Sequence, residues 1–249
     1  MVSVLKKLVP GPLRPVAKKA LILFRKYFPN RGQSLRTTVD WWDQWLRNKG
    51  NEWPMDYSMR LDPNCPVDEW QEKILDMLPE PEIRVLDVGC GAMTYFGKVH
   101  PHKKIQVFCC DQLATETNKL LKKYNLNPPV QPEACDTERL VEHYGQEKFH
   151  AVSARNCIDH CYDPVKAIEQ MILVCRIGGV VMLRHAPHEG ISNEYNDQHK
   201  WNFDLTPEGK VELSGRWTRV IVDDHFHDRV EFHNELSQGF ICTHGIRKR

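Results

Sequence analysis

The stretch from Ile83 to Gly97, IRVLDVGCGAMTYFG, decides the fold of this chain. Its apolar start predicts a short buried strand, which breaks at Gly89 and Gly91 into a tight turn. Glycines let the backbone approach a ligand closely and adopt positive φ at little cost. The residues after the turn can begin a helix, whose first N–H groups would face that ligand. The stretch therefore predicts a nucleotide-type binding turn at the end of a strand.

Two carboxylates near this turn indicate which nucleotide it binds. Asp87, just before Gly89, suits a cationic amine and would repel a pyrophosphate. The dinucleotide fingerprint G-x-G-x-x-G is incomplete as well, because Thr94 takes the place of its third glycine. Asp111 follows the next predicted strand, about 20 residues after the turn, where an acid grips a ribose diol. Taken alone, Asp111 is equally compatible with a helix cap.

The D-x-G-x-G turn resembles the first motif of class I S-adenosylmethionine-dependent methyltransferases, whose cofactor carries an ammonium and a sulfonium. Met93 stands where that family commonly has a third glycine. The segment from Ile158 to Pro164, with its Asp-His and Asp-Pro pairs, resembles small-molecule methyltransferases of type 11, including ubiquinone-type O-methyltransferases. The resemblance extends from Ile83 to His185.

Strands and helices are predicted to alternate from Ile83 onwards, which favours a parallel sheet covered on both faces. The resemblance implies a Rossmann-like class I methyltransferase sheet, mostly parallel, with an antiparallel C-terminal hairpin and helices on both faces. Arg176 to Gly179 is predicted as the turn into the fifth strand. We expect residues 1–38 to form a basic amphipathic extension. Residues 39–249 then form the methyltransferase domain, with a lid inserted at about 186–216.

S-adenosyl-L-methionine is the cofactor that the resemblance implies, and it also implies a set of binding residues. That set is Asp87, Gly89, Cys90, Gly91, Asp111, Gln112, Asp136 and Asn156. Asp136 follows the third predicted strand, where the family commonly receives the adenine amino group, and capping of the next helix is its alternative role. Some relatives bind a divalent metal after the fourth strand. Asn156 takes the place of one acid there, so we expect no metal.

Three histidines are candidates for catalysis. A hydroxyl acceptor benefits from a base with a pKa near neutrality, which makes histidine the natural choice. His160, His185 and His199 all fall near the expected site, and the sequence does not rank them. A structural role in its loop is equally open to His160. The chain has no N-P-P-Y-type motif after the fourth strand, so we expect a small-molecule, sugar or lipid-linked acceptor rather than nucleic acid.

The basic residues are unevenly distributed along the chain. Nine of the 34 lie in residues 1–36, which contain no acid, so the rest carries 25 basic against 33 acidic residues. A globally basic nucleic-acid-binding protein is therefore disfavoured. Residues 15–28 predict a basic amphipathic helix. An anionic membrane surface, docking on its own domain or a partner, and targeting stay open as its roles.

We expect a cytoplasmic protein, with membrane attachment at most peripheral. The nine cysteines include no C-x-x-C pair and are expected to be reduced thiols. No apolar run is long enough to span a bilayer. Trp41, Trp42 and Trp45 are expected to fasten the N-terminal extension to the core, and walling a substrate pocket is their alternative role.

Two functions from other classes stay open. One is a non-catalytic binding protein with the methyltransferase fold, which the departures at Met93 and Asn156 favour. The other is an NAD(P)-dependent oxidoreductase. It is less favoured, because the chain lacks the third fingerprint glycine and a Tyr-x-x-x-Lys pair in the right region.

Overall fold

The computed structural model describes residues 31–195 and 198–249. The helix predicted at residues 15–28 lies outside the described residues, so its interaction with a membrane stays a prediction. Within the described part of the chain, no helix is both long and apolar enough to cross a bilayer.

The helices and strands alternate from the first strand to the fifth. The helices are α1 (Arg31–Arg47), α2 (Pro54–Leu61), α3 (Glu69–Leu75), α4 (Ala114–Lys123), α5 (Leu140–Tyr144), α6 (Pro164–Val174), α7 (Glu189–Ser192) and α8 (Val222–His225). The strands are β1 (Glu82–Val88), β2 (Lys104–Asp111), β3 (Glu133–Ala134), β4 (Phe149–Arg155), β5 (Cys175–His185), β6 (Asn202–Leu205), β7 (Val211–Ser214), β8 (Arg219–Ile221), β9 (Val230–Ser237) and β10 (Phe240–Arg247).

Seven strands form one sheet in the order β3-β2-β1-β4-β5-β10-β9. The pairs from β3 to β5 are parallel, whereas β10 runs antiparallel to both β5 and β9. The predicted class I methyltransferase sheet with a C-terminal hairpin is confirmed. The strand order reverses between β1 and β4, and open α/β sheets bind ligands in the crevice at that point.

Both faces of the central strands β1 and β4 are covered, and most residues of these strands are buried. On one face, Val152 of β4 packs in a cluster with Ile168 and Met171 of α6. On the other face, Ala151 packs with Ile74 and Leu75 of the α3 helix. Adjacent residues of β4 therefore belong to separate apolar layers, as the alternation of side chains along a strand requires.

The fifth strand begins earlier than the sequence predicts. We expected a turn at Arg176 to Gly179, but these residues lie within β5. Phe149 pairs with Cys175, and Ala151 pairs with Val180. The segment of β5 between these two pairs is therefore longer than the matching segment of β4. The glycine pair is accommodated as an irregularity of the ladder rather than as a break before it.

A second sheet of three antiparallel strands, β6, β7 and β8, begins inside the segment predicted as a lid and ends beyond it, at Ile221. Phe203, Val211 and Leu213 of this sheet are buried in the main core cluster. Gln198, just before the sheet, donates a hydrogen bond to Thr38 of α1 at 2.9 Å. This segment therefore packs on the core and also meets α1. Helix α1 continues across the boundary proposed at residue 38, and the division into domains stays a prediction.

Candidate functional site

A cavity of about 980 Å³ lies at the carboxyl ends of β1, β2 and β4. Small-molecule sites usually measure about 300–1,000 Å³, so this cavity has room for a large ligand or two smaller ones. Side chains of α1 and α2 line one side, and residues between Glu189 and Lys200 line another. The cavity therefore coincides with the crevice that the sheet topology predicts.

The glycine turn after β1 forms part of the cavity wall. Gly89 and Gly91 have φ values of 64° and 68°, a conformation that favours glycine. A Cβ atom on Gly91 would lie 2.0 Å from Cζ2 of Trp42, and one on Gly89 would lie 2.5 Å from Cβ of Cys157. Both glycines are thus required by backbone conformation and by close packing.

Asp111 at the end of β2 holds the turn in place. Its Oδ2 accepts the N–H of Gly91 at 2.9 Å, and its Oδ1 accepts the N–H of Leu113 at 2.7 Å. Burial raises the pKa of the Asp111 carboxyl, and these two hydrogen bonds offset part of that rise. A carboxylate offers about four acceptor positions, so Asp111 can bind a ribose diol while it keeps both backbone contacts.

Asp87 is buried on the floor of the cavity, at 4% exposure. Its Oδ2 accepts the hydroxyl proton of Thr94 at 2.6 Å, so the residue in place of a third fingerprint glycine orients this acid. Burial raises the pKa of Asp87, against the opposing effects of Thr94 and of the positive charges on Arg60, Lys98 and Arg155. The nearby hydroxyl and positive charges thus offset part of the cost of burying this carboxyl group, which faces the cavity.

The other predicted cofactor-binding residues line the same cavity: Cys90, Gln112, Asp136 and Asn156. Asp136 also accepts the N–H of Glu138 at 3.1 Å, which is the capping role kept as its alternative. Asn156, with φ 47°, accepts the N–H of Ala186 at 2.7 Å and so ties the end of β4 to the end of β5. All eight predicted positions are therefore brought together.

The tryptophans of α1 divide between their two predicted roles. Trp45 is buried beside Met93 and Leu121 and fastens α1 to the domain. Trp41 and Trp42 line the cavity, and Trp42 also packs against this cluster. Met93 is fully buried in the Trp45 cluster, so its departure from glycine places a side chain in the core and not in the cavity.

His160 and His199 line the cavity and share one acid, Asp159. The Nδ1 atom of His199 lies 2.7 Å from Oδ2 of Asp159, and Nε2 of His160 lies 3.4 Å from the same oxygen. Glu189 is a second acid near His199, at 3.5 Å from Nδ1. The sequence prediction missed Asp159 and Glu189 as site residues, although the Asp159-His160 pair belongs to the motif behind the resemblance.

The pKa values of the two histidines shift in opposite directions, although the charge of Asp159 raises both. Burial opposes the charge on His199, but the hydrogen bond and charge of Asp159 outweigh it, so the pKa of His199 is raised. Burial lowers the pKa of His160 despite Asp159, and His199 and Lys200 lower it further. Burial would raise the pKa of Asp159, but the charge of His160 and the hydrogen bond from His199 lower it overall. Ionised Asp159 only accepts hydrogen bonds, so the neutral His199 ring donates from Nδ1 and keeps its lone pair on Nε2.

These three side chains also have the composition of a metal site. One ligand atom from each of Asp159, His160 and His199 lies within 4.8 Å of the others. Imidazole and carboxylate ligands suit several divalent transition metals. The Nζ atom of Lys200, bound to the carbonyl oxygen of His160 at 2.7 Å, places a competing positive charge beside them. The absence of a metal stays a prediction.

His185, the third predicted histidine, is not among the residues that line the cavity. It is 1% exposed, its ring stacks on Phe203 at 3.9 Å, and its Nε2 accepts the N–H of Ile158 at 3.2 Å. Burial lowers the pKa of His185 to about 4. Its contacts fix the loop after β4, which carries Asp159 and His160.

We expect His185 to make folding sensitive to acid. A histidine in the unfolded chain has a pKa of about 6.5, so below that pH the unfolded state binds the extra proton. With a folded pKa of about 4, stability falls as the pH falls between these values. The loss is on the order of 3 kcal/mol at pH 4. Urea denaturation from pH 7 to pH 4 measures it.

The matched variants for this prediction are His185→Gln and His225→Gln. Glutamine at position 185 can accept the N–H of Ile158 without titrating, so the slope of stability against pH should flatten. His225 is exposed and should leave the slope unchanged when replaced. Equal slopes in wild type and His185→Gln would contradict the assignment.

Comparisons with known proteins bear on the fold and the central segment. Residues 86–183 match the family described as methyltransferase domain. No curated protein matches the chain in sequence. A chain from the Haloferax volcanii complex of the Trm112 methyltransferase activator and an assigned methyltransferase is 14% identical, with a TM-score of 0.53 over 84% of this chain and 98% of that one. A protein from Methanococcus maripaludis, assigned as an S-adenosyl-L-methionine-dependent methyltransferase, is 10% identical, with a TM-score of 0.52 over 85% of this chain and 94% of that one. At these identities the likeness concerns the fold alone.

Proposed function

We propose that this chain transfers a methyl group from S-adenosyl-L-methionine to a small-molecule, sugar or lipid-linked acceptor, on oxygen or nitrogen. The chain has the class I methyltransferase fold, and its residues 86–183 match the methyltransferase domain family. The observation that carries the proposal is the joining of two sets of groups in one cavity. Asp87, Asp111 and the glycine turn form one set. His160 and His199, which lie against the buried Asp159, form the other.

The residues of the first set fit this cofactor chemically. Asp87 offers a carboxylate to an ammonium group, and Asp111 offers spare acceptor positions to a ribose diol. A pyrophosphate at the glycine turn would lie close to the carboxylates of Asp87 and Asp111, which disfavours a dinucleotide. The volume of about 980 Å³ supports a cofactor and an acceptor bound together.

When bound, S-adenosyl-L-methionine supplies an electrophilic methyl group on a sulfonium. Methyl transfer is an in-line displacement, so the protein's main task is to align the acceptor atom. His199 is the favoured base for a hydroxyl acceptor, because Asp159 orients its ring and stabilises its protonated form. Trp41 and Trp42 line the same cavity and offer aromatic surface to an acceptor.

Acceptor screening by mass spectrometry tests the proposal. The protein is incubated with S-adenosyl-L-methionine carrying a deuterated methyl group and with a panel of hydroxyl and amine acceptors. We expect a product heavier by one labelled methyl group and an equal amount of S-adenosylhomocysteine. Cofactor binding without turnover on any acceptor would favour the non-catalytic alternative.

A further inference from the structure

Arg155, the last residue of β4, lies beside Asp87 and has no role in the methyl transfer proposed above. Ser153 of β4 pairs in register with Asp87 of β1, and side chains two residues apart on a strand project to the same face. Arg155 therefore projects to the face of Asp87, and both residues line the cavity. The two side chains also interact electrostatically, because the charge of Arg155 lowers the pKa of Asp87 against the effect of burial.

The guanidinium of Arg155 lacks hydrogen-bond acceptors among residues 31–195 and 198–249. Its Nη1 atom is buried without a partner. Its contacts are aromatic: the guanidinium carbon lies 3.5 Å from the ring centroid of Tyr95 and 5.4 Å from that of Phe240. A buried donor without an acceptor destabilises a protein unless a ligand supplies the acceptor.

Two neighbouring arginines, unlike Arg155, donate hydrogen bonds to acceptors within the protein. Arg184 is the register partner of Arg155 on β5, and its Nη1 donates to Oδ2 of Asp68 at 2.7 Å. Arg60 donates to Asp56 at 3.2 Å and to the carbonyl oxygens of Cys90 and Met93. The lack of partners is therefore a specific feature of Arg155 and not a general property of arginines around this cavity.

A carboxylate is the ligand group that fits this environment. The planar guanidinium matches a carboxylate with two parallel hydrogen bonds, and the stacked rings of Tyr95 and Phe240 limit its rotation. An α-amino acid carries an ammonium and a carboxylate on one carbon. Asp87 and Arg155 offer the two opposite charges side by side on one face of the cavity.

We propose that Arg155 binds the α-carboxylate of the cofactor's amino-acid end while Asp87 binds its ammonium group. This assignment rests on the proposed function. The other source of a carboxylate is the acceptor molecule, which would then have to be an acid. The two sources are distinguished by a cofactor analogue that lacks only the carboxylate.

Calorimetry with S-adenosyl-L-methionine and decarboxylated S-adenosyl-L-methionine provides the test. Wild-type protein should bind the intact cofactor about ten- to a hundredfold more tightly, because the charged hydrogen bonds are lost with the carboxylate. Arg155→Gln should bind the intact cofactor more weakly by a similar factor and should no longer distinguish the two compounds. Arg184→Gln removes the same charge from the neighbouring strand and should keep the wild-type preference.

The outcomes separate the assignment from the proposed function. If wild-type protein binds both compounds equally well, Arg155 does not contact the cofactor carboxylate, and this result needs no variant. If Arg155→Gln keeps the preference and only its KM for an acceptor rises, the carboxylate belongs to the acceptor, and the assignment is wrong while the proposed function stands. If wild-type protein binds neither compound, both fall. Thermal melting of each variant verifies that it is folded.

Discussion

Replacing His199 by alanine is expected to lower kcat for a hydroxyl acceptor about 10²- to 10⁴-fold, the range that a positioned base contributes. The buried Asp159 holds the ring by a hydrogen bond of 2.7 Å, and His199 lines the same cavity as the cofactor residues. The affinity for S-adenosyl-L-methionine should change little, because Asp87 and Asp111 are untouched. Steady-state kinetics and calorimetry on the same variant measure the two quantities.

The pH profile tells a base from a structural residue. A base must be unprotonated, so kcat should rise with pH through the pKa of His199, which lies above the usual value of about 6.5. Asp159→Asn removes the charge that raises this pKa, so the rising limb should move to lower pH. His225→Ala replaces an exposed histidine that is not among the residues lining the cavity, and it should leave the profile unchanged.

A loss of kcat in a different histidine variant would change the assignment of the base. If the loss in kcat follows His160→Ala instead, then His160 is the base and His199 positions Asp159. If alanine at 160, 185 and 199 each leaves the full rate between pH 6 and 9, no histidine acts as a base. Alignment of the acceptor would then have to account for the catalysis.

Replacing Asp111 by alanine is expected to weaken S-adenosyl-L-methionine binding about ten- to a hundredfold. Hydrogen bonds to a charged group contribute roughly 1.5–3 kcal/mol, and about 1.4 kcal/mol changes an equilibrium constant tenfold. The effect has two parts, because Asp111 also fixes the N–H of Gly91 at 2.9 Å and so shapes the turn. Isothermal titration calorimetry measures the affinity.

Asp111→Asn helps to separate these two parts. Asparagine keeps one carbonyl oxygen that can accept the N–H of Gly91 or of Leu113, but it has no charge and fewer acceptor positions. An intermediate loss in Asp111→Asn would show that the shape of the turn contributes as well as the contact with the ligand. If neither Asp87→Ala nor Asp111→Ala changes the affinity, the binding site has been assigned to the wrong residues.

The parts of the fold that could be predicted are those with local signals. β1 and β4 are short segments rich in apolar residues, and α6 begins at Pro164 after the side-chain cap of Asp163, as its sequence indicates. The cofactor residues could be predicted together because parallel strands end at one edge of the sheet. No contact between side chains had to be known for that inference.

The parts that could not be predicted depend on packing between distant segments. β6 and β7 are four residues long and mix apolar with polar side chains, so their alternation is too short to recognise. The role of His185 follows from its burial under Phe203, which no local pattern reveals. Asp159 gained its importance from His199, which lies 40 residues later in the sequence.

Calorimetric titration of the full-length protein with S-adenosylhomocysteine, and separately with NAD, tests the central claim most directly. Both ligands carry an adenosine, but only the first has an amino-acid end for Asp87 and no pyrophosphate to be repelled. We predict saturable binding of S-adenosylhomocysteine that weakens in Asp87→Ala, together with no measurable binding of NAD. Binding of NAD without binding of S-adenosylhomocysteine would contradict the account and favour an oxidoreductase.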